Sequence, residues 1–555
     1  MLMPEKIRGL LGNHLFQVAA MIGTGKQWAL TPSWETPLEG TLAPEALLVH
    51  AETCPSIWNA ARYLNGPIPL KARAADDELL PLGYYLNEKH WRHHEAEVKR
   101  ILGYTPETAA EAASFVGPDA CAIHLRRGEK RLCQHKYGFS FPITYIKTAL
   151  ARVPKSVRKL VFSDEPEWAL LMLRSIGIEA ENGETGIVHP IQAMARISAC
   201  RWIVGSNSTF SWWGAYLNTR RDKCIYMPGW RRIDFSNNEQ ITEAWPPTSE
   251  RRKWHLLNPT RKLAVIVAAY QAEHFILDCL QGFASQLPLQ GWKYEIRIGV
   301  DGCPETAAAL DRLGVPYWFS RENVGAYVTR NSLIAQGGPA EAYCVFDADD
   351  VPMPDYCRRS IANLYHTGIT TCSRLEVGEH LEDIGEKTYA RSYGRAMFQH
   401  EVWAAAGSFR PDRCDSDGDF IWRVQDMGYK VTFTPPPFLM LRRQHPRQLT
   451  RDPLTALRSP YRVEIQNRHK ELRLTGERHV EPITVRMQYR KGDWTGIPVC
   501  MPDSQALTMR LVTEPIKITK TQDSSSPIYY VKTKKKVVRK KRHSGNNPAI
   551  TREER

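Results

Sequence analysis

No stretch of this 555-residue chain is apolar for long enough to cross a bilayer. The best run is "LAVIVAAY" at 263–270, against the ~20 residues a spanning helix needs. The chain opens without a basic-then-apolar leader, and none of its twelve cysteines stands in a C-x-x-C pair. A secretory signal, a thiolate zinc site and a disulfide framework are therefore not expected. A reducing, cytoplasmic setting is expected, with peripheral attachment to a membrane as its variant. No internal repeat is visible. Nor is the chain basic throughout: residues 451–555 hold 23 Lys/Arg against 11 Asp/Glu, while the whole chain carries a net +14. The basic character belongs to the tail, which argues against a nucleic-acid-binding body.

What is present is ample material for folding. At 43% hydrophobic and 24% charged, a chain of this length suggests three or four domain-sized units. Residues 1–250 alternate short apolar runs with helical patterns, as in an open α/β sheet. "KLVFSDEP" (159–166) and "RWIVGS" (201–206) read as strands closing on polar residues. "PEWALLMLRSIG" (166–177) reads as a helix, with Pro166 in its first turn and Gly177 as its stop. Residues 251–261 read as a linker, and a second α/β pattern covers 262–450. Residues 451–518 form a smaller accessory region in which 481–500 has the pattern of a hairpin. From 519 to 555 the composition is that of a basic, disordered tail.

Three segments of the first half point to an anion. "RGLLGNHLFQ" (8–17) sets Gly9 and Gly12 beside Asn13, just after the first strand, where backbone can approach a ligand closely. "CAIHLRRGEKRL" (121–132) ends an apolar run on His124, Arg126 and Arg127. Such a strand end is either simply wet or a pair of planar guanidiniums able to grip a phosphate bidentately. "GSNSTFSWWGAYLN" (205–218) gathers Asn207, Ser208 and Thr209 at a helix start, where hydroxyls and free N–H groups favour an anion. Asp164, with Ser163, closes a strand on the ligand side of the sheet. Trp212 and Trp213 read as core packing.

The order and wording of these segments resemble the α-1,2-fucosyltransferase family, glycosyltransferase family 11. That family reads G-G-L-G-N-Q, then H-x-R-R-G-D-Y, F-S-D-D and N-S-T-F-S-W-W. The counterparts here are "GLLGNH", "HLRRGEK", "FSDE" and "NSTFSWW", with "LGYYLNEKHW" (82–91) as a fifth similar segment. The resemblance implies two facing Rossmann-like lobes of GT-B type and an inverting, metal-independent transfer from GDP-fucose. It gives Arg126, Arg127 and His124 catalytic roles around the diphosphate, and gives donor contacts to Gly9, Gly12, Asn13, Asp164, Asn207, Ser208 and Thr209. Leu10, His14 and Glu129-Lys130 depart from the pattern, which bears on the donor loop and on the identity of the sugar.

In the second half, "YCVFDADDVPMPDY" (343–356) is an apolar strand ending in Asp347, Asp349 and Asp350. Carboxylates spaced D-x-D at a strand end suit Mg²⁺ or Mn²⁺, with substrate phosphates completing the shell. With "LAVIVAAYQAEHFILDCLQGFASQ", "IRIGVDGC", "ENVGAYVTRN", "SDGDFIWRVQDMGYKV" and "RRQHP", this half resembles the family 2 inverting glycosyltransferases of the GT-A fold. The resemblance implies donor contacts from Asp301, Asn323, Arg330 and Asp347, and metal ligation by Asp349, Asp347 and His445. It also implies a general base at Asp417 or, two residues on, Asp419. Val300 stands where many relatives have a second Asp.

The expectation is a bifunctional glycosyltransferase acting on a glycan, with GDP-fucose and a second nucleotide sugar as donors. Only the second site needs a divalent cation. The tail is expected to meet an anionic membrane or nucleic acid, or simply solvent. Two other readings stay open: a nucleic-acid-modifying transferase docked by its tail, and a chain in which one half is an inactive binding module.

Overall fold

The computed structural model describes residues 88–128, 138–229, 247–384, 395–434 and 438–494, with isolated positions elsewhere. Among those positions, strands β1 (Leu2–Pro4) and β2 (Glu78–Leu80) pair in parallel. Gly9, Gly12, Asn13, Glu129 and Lys130, the second lobe implied for the first half, and the tail lie outside the described residues.

The first unit is built on β3 (Ala120–Leu125), β4 (Arg158–Ser163), β5 (Glu181–Asn182), β6 (Trp202–Val204), β7 (Cys224–Pro228) and β8 (Trp254–Leu257). They form one parallel sheet in the order β5-β4-β3-β6-β7-β8. Every residue of β3 is buried, as expected of a central parallel strand covered by helices on both faces. The helix Pro166–Ser175 starts on a proline, and Gly177 follows it at φ +75°. Trp212 and Trp213 are fully buried with Trp91, Phe16 and Tyr216, ring to ring, on one face of this sheet.

Inside the stretch read as a linker, β8 completes the first sheet beside β7. The connection between units is therefore only Asn258–Thr260. Trp254 packs with the Trp212–Trp213 cluster, and Leu257 into the core on the opposite face.

The second unit holds β9 (Arg261–Ala269), β10 (Trp292–Asp301), β11 (Tyr317–Ser320), β12 (Ala342–Asp347), β13 (Val351–Pro352), β14 (Ile369–Cys372), β15 (Arg374–Val377), β16 (Met397–Gln399), β17 (Val431–Thr434), β18 (Met440–Arg443) and β19 (Gln488–Arg490). Eight strands make a mixed sheet, β17-β14-β16-β12-β9-β10-β11-β19, and β13-β18-β15 form a small second sheet. The hairpin expected at 481–500 is corrected: β19 pairs antiparallel with β11, more than 160 residues earlier. The accessory region up to Trp494 thus belongs to the second unit. Among the described residues no helix is long and apolar enough to cross a membrane.

The two units share packing. Phe139 of the first sits in the core of the second, with ring centroids 5.7 Å from Trp292 and 4.5 Å from Tyr365. Glu341 of the second accepts from the backbone N and hydroxyl of Thr144, each at 2.6 Å, at the start of the helix Ile143–Leu150. Ser175 meets His400 at 2.8 Å across the same boundary.

Candidate functional site

In the first sheet, β3 has β4 and β5 on one side and β6, β7 and β8 on the other. The chain reverses direction between β3 and β6, and the carboxyl ends of strands flanking such a switch point open a crevice for ligands. A small cavity lies there, lined by His124 at the end of β3 and Arg126 just after it, by Gly205, Ser206 and Asn207 after β6, and by Phe139 and its neighbours. The ring of His124 is fixed through Nδ1, 2.9 Å from Ser206 Oγ and also bonded to Ser211, and it stacks on Phe210. Ser208 caps the helix Thr209–Tyr216, accepting from Phe210 N at 3.3 Å.

Asp164 lies at the end of β4, one strand over. Its Oδ1 accepts from the backbone N of Arg127 at 2.9 Å, and its Oδ2 is 3.4 Å from Arg126 Nε. The glycine of "HLRRGE" has a steric cause, since a Cβ on Gly128 would come within 2.4 Å of Asp164 Oδ2. Arg127 does not line the cavity: its side chain is buried against Glu165, Trp168 and the second unit. Glu184, which the sequence reading passed over, accepts from Ser163 N at 3.1 Å, and burial pushes its carboxyl up to about 7.

The second sheet repeats the logic. β9 is flanked by β10 and β12, both parallel to it, and the Asp347–Asp350 turn leaves the end of β12. Oxygens of Asp347, Asp349 and Asp350 lie within 4.8 Å of one another. His445, after β18, brings Nε2 to 3.0 Å from Asp349 Oδ2. Burial opposes charge on Asp349, but His445 and Arg395 hold its carboxyl below the ordinary value. Asp347 is paired with Arg330 and Arg395. Asp350 is fully buried, accepting from Arg443 N at 3.0 Å and from Arg395 Nε at 2.7 Å. It latches the turn, while Asp347 and Asp349 face outward. Hard carboxylate oxygens beside an imidazole suit Mg²⁺ or Mn²⁺. The oxygens of Asp347, Asp349 and Asp350 form a donor set that fits a divalent cation.

Asp301, at the end of β10, accepts from Val324 N at 2.7 Å and Gly325 N at 2.9 Å. It orders the "ENVG" loop, in which Asn323 is bound by Arg413. Asp417 and Asp419 sit in the first turn of the helix Ser416–Asp426 and have different surroundings. Asp419 is interior, between Arg423 Nε at 2.7 Å and Arg410 Nε at 3.2 Å. Asp417 is half-exposed and accepts from Tyr327 Oη at 2.6 Å. Burial, then the Asp417 charge, keeps the Tyr327 phenol protonated. Arg330, one turn along the helix Ala326–Gln336, lies 5.2 Å from the Tyr327 ring centroid. A chain Asp347–Arg330–Tyr327–Asp417 thus joins the acidic turn to the candidate base. Tyr327 and Arg395 carry no spacing signal that sequence alone could have raised.

Residues 106–246 match the family model of Glycosyl transferase family 11. The chain is 29% identical over 112 residues to the O-antigen biosynthesis glycosyltransferase WbnK of Escherichia coli, covering 19% of this chain and 37% of that protein. It is 26% identical over 187 residues to an Escherichia coli alpha-1,2-colitosyltransferase, covering 30% of this chain and 60% of that one. The chain therefore spans less than two thirds of either relative. Among solved structures it is similar to S. aureus TarS 1-349 (14% identity, TM-score 0.29, 33% of this chain and 60% of that one). It is also similar to the mannosyltransferase PcManGT from Pyrobaculum calidifontis in complex with GDP-Man and Mn²⁺ (18%, 0.28, 40% and 68%). Residues 106–246 of the chain thus carry a domain that matches glycosyltransferase family 11.

Proposed function

We propose that the chain is a bifunctional glycosyltransferase with one donor site in each unit. The first takes GDP-fucose, or a GDP-linked relative such as a colitosyl donor, and transfers the sugar with inversion to a glycan hydroxyl. The observation that carries this reading is the convergence of His124, Arg126, Ser206 and Asn207 on one cavity at a switch point inside the family 11 segment. Arg126 and the Ser208-capped helix start neutralise the leaving diphosphate, a task that needs no metal where cations and N–H donors are preorganised. His124, its ring locked by Ser206 and Ser211, orients the donor.

In the second unit Asp349, Asp347 and His445 would hold Mg²⁺ or Mn²⁺. The bound ion would supply charge neutralisation of a second nucleotide sugar's diphosphate. Asp301, Asn323 and Arg330 shape the nucleotide side. Asp417 takes the proton of the acceptor hydroxyl, with Tyr327 holding its Oδ1 in place. The ion-paired, interior Asp419 supports giving this role to Asp417.

The test is thermal unfolding of the full chain with GDP-fucose in EDTA. A ligand that binds only the folded form adds ~2.7 kcal/mol at a hundred times its dissociation constant. Stabilisation of the wild type that is lost in Arg126→Ala supports the first site. Equal stabilisation of both removes it.

A further inference from the structure

Arg126 and Arg127 are adjacent, yet only Arg126 reaches the cavity. Arg127 is 8% exposed. Its guanidinium carbon stands 5.0 Å from the Trp168 ring centroid, and it pairs with Glu165 of its own unit. The same guanidinium then crosses to the second unit. There Nη2 donates to Tyr429 Oη at 3.2 Å, and Nε lies 3.9 Å from Glu401 Oε1. Glu401 is 2% exposed, in the first turn of the helix His400–Ala406. A carboxylate so desolvated depends on a nearby cation, and its cation belongs to the other unit.

The main chain of Arg127 is held as firmly as its side chain. Asp164 accepts from its N and pairs with Arg126 through the other oxygen. The backbone that launches Arg126 is therefore clamped between Asp164 and the second unit. The opposite cavity wall is anchored the same way, since Phe139 lines the cavity and packs against Trp292 and Tyr365.

We propose that Arg127 is a positioning residue through which the second unit sets the geometry of the first donor cavity. Glu401 and Tyr429 hold Arg127, and Arg127 fixes the loop from which Arg126 meets the diphosphate. This rests on reading the first cavity as a GDP site. Fusion of the units is then functional coupling: a shift of the helix His400–Ala406 changes GDP affinity, and GDP binding biases that helix in return.

The experiment is calorimetric titration of the full chain with GDP in EDTA, for wild type, Arg126→Ala, Arg127→Ala, Tyr429→Phe, Glu401→Gln and the double variant Arg127→Ala/Tyr429→Phe. Tyr429→Phe removes one hydrogen bond to a buried cation and should weaken GDP about 3- to 10-fold. In the Arg127→Ala background the same change should have no further effect, which a general loss of stability would not produce. If Glu401→Gln folds poorly, Tyr429→Phe and the double variant decide. Wild-type affinity in Tyr429→Phe alongside loss in Arg126→Ala overturns the coupling and leaves the donor site standing. Additive losses in the double variant also overturn it. No GDP binding by wild type, or undiminished binding by Arg126→Ala, removes the donor site and the coupling with it.

Discussion

Two pairs of like residues part company in space. Arg126 faces a cavity and Arg127 the other unit; Asp417 is half-exposed beside Tyr327, and Asp419 is buried between Arg410 and Arg423. Arg126→Lys keeps the charge but loses the planar fork, so first-site transfer should fall at least ~10-fold in a radiolabelled-sugar assay. Asp417→Asn should cut second-site turnover by roughly 10²–10⁴ in single-turnover transfer, the usual share of a general base. Asp419→Asn should act on folding instead. Stripping one partner from a buried ion pair costs about 3–5 kcal/mol, read as a lower unfolding midpoint. The residue types and their neighbourhoods were legible in the sequence. Which member of each pair turns inward was not, because Glu401, Tyr429, Arg410 and Arg423 become neighbours only through tertiary packing.

Both candidate sites lie at the carboxyl ends of parallel strands, where apolar runs break into polar residues, and this is why "CAIHLRRGE" and "YCVFDADD" drew attention to them. The strand–helix order of 158–177 was equally readable, since Pro166 and Gly177 mark its helix. β8 and β19 were not. Each is short, and each is a strand only because a distant partner, β7 or β11, satisfies its backbone. At this scale Gly128→Ala is informative. Its Cβ would strike Asp164 Oδ2, displace the clamp on the Arg126–Arg127 backbone and weaken GDP in calorimetry, with little effect on a nucleotide held at the acidic turn.

The units pack against each other, with Phe139 of the first in the core of the second and Ala404 of the second in a core of the first. His400 lies at that boundary, between Ser175 Oγ at 2.8 Å and Tyr343 Oη at 3.0 Å, and burial lowers its imidazole to about 4. A folded-state value below the unfolded one means that the unfolded chain binds more protons between the two. Stability is therefore full above about 6.5 and lost as pH falls through about 4, by about 3 kcal/mol at most. Unfolding midpoints from pH 7 to 4 should show this slope in wild type and a shallower one in His400→Gln. The central claim is that one chain holds two donor sites of different chemistry, and the most direct measurement is calorimetric binding of GDP and UDP with EDTA or Mn²⁺. Wild type should bind GDP in EDTA and lose this in Arg126→Ala. A second nucleotide-binding event should appear only with Mn²⁺, persist in Arg126→Ala and vanish in Asp349→Ala. Chelation that abolishes all binding, or a single event lost in both variants, would contradict the account.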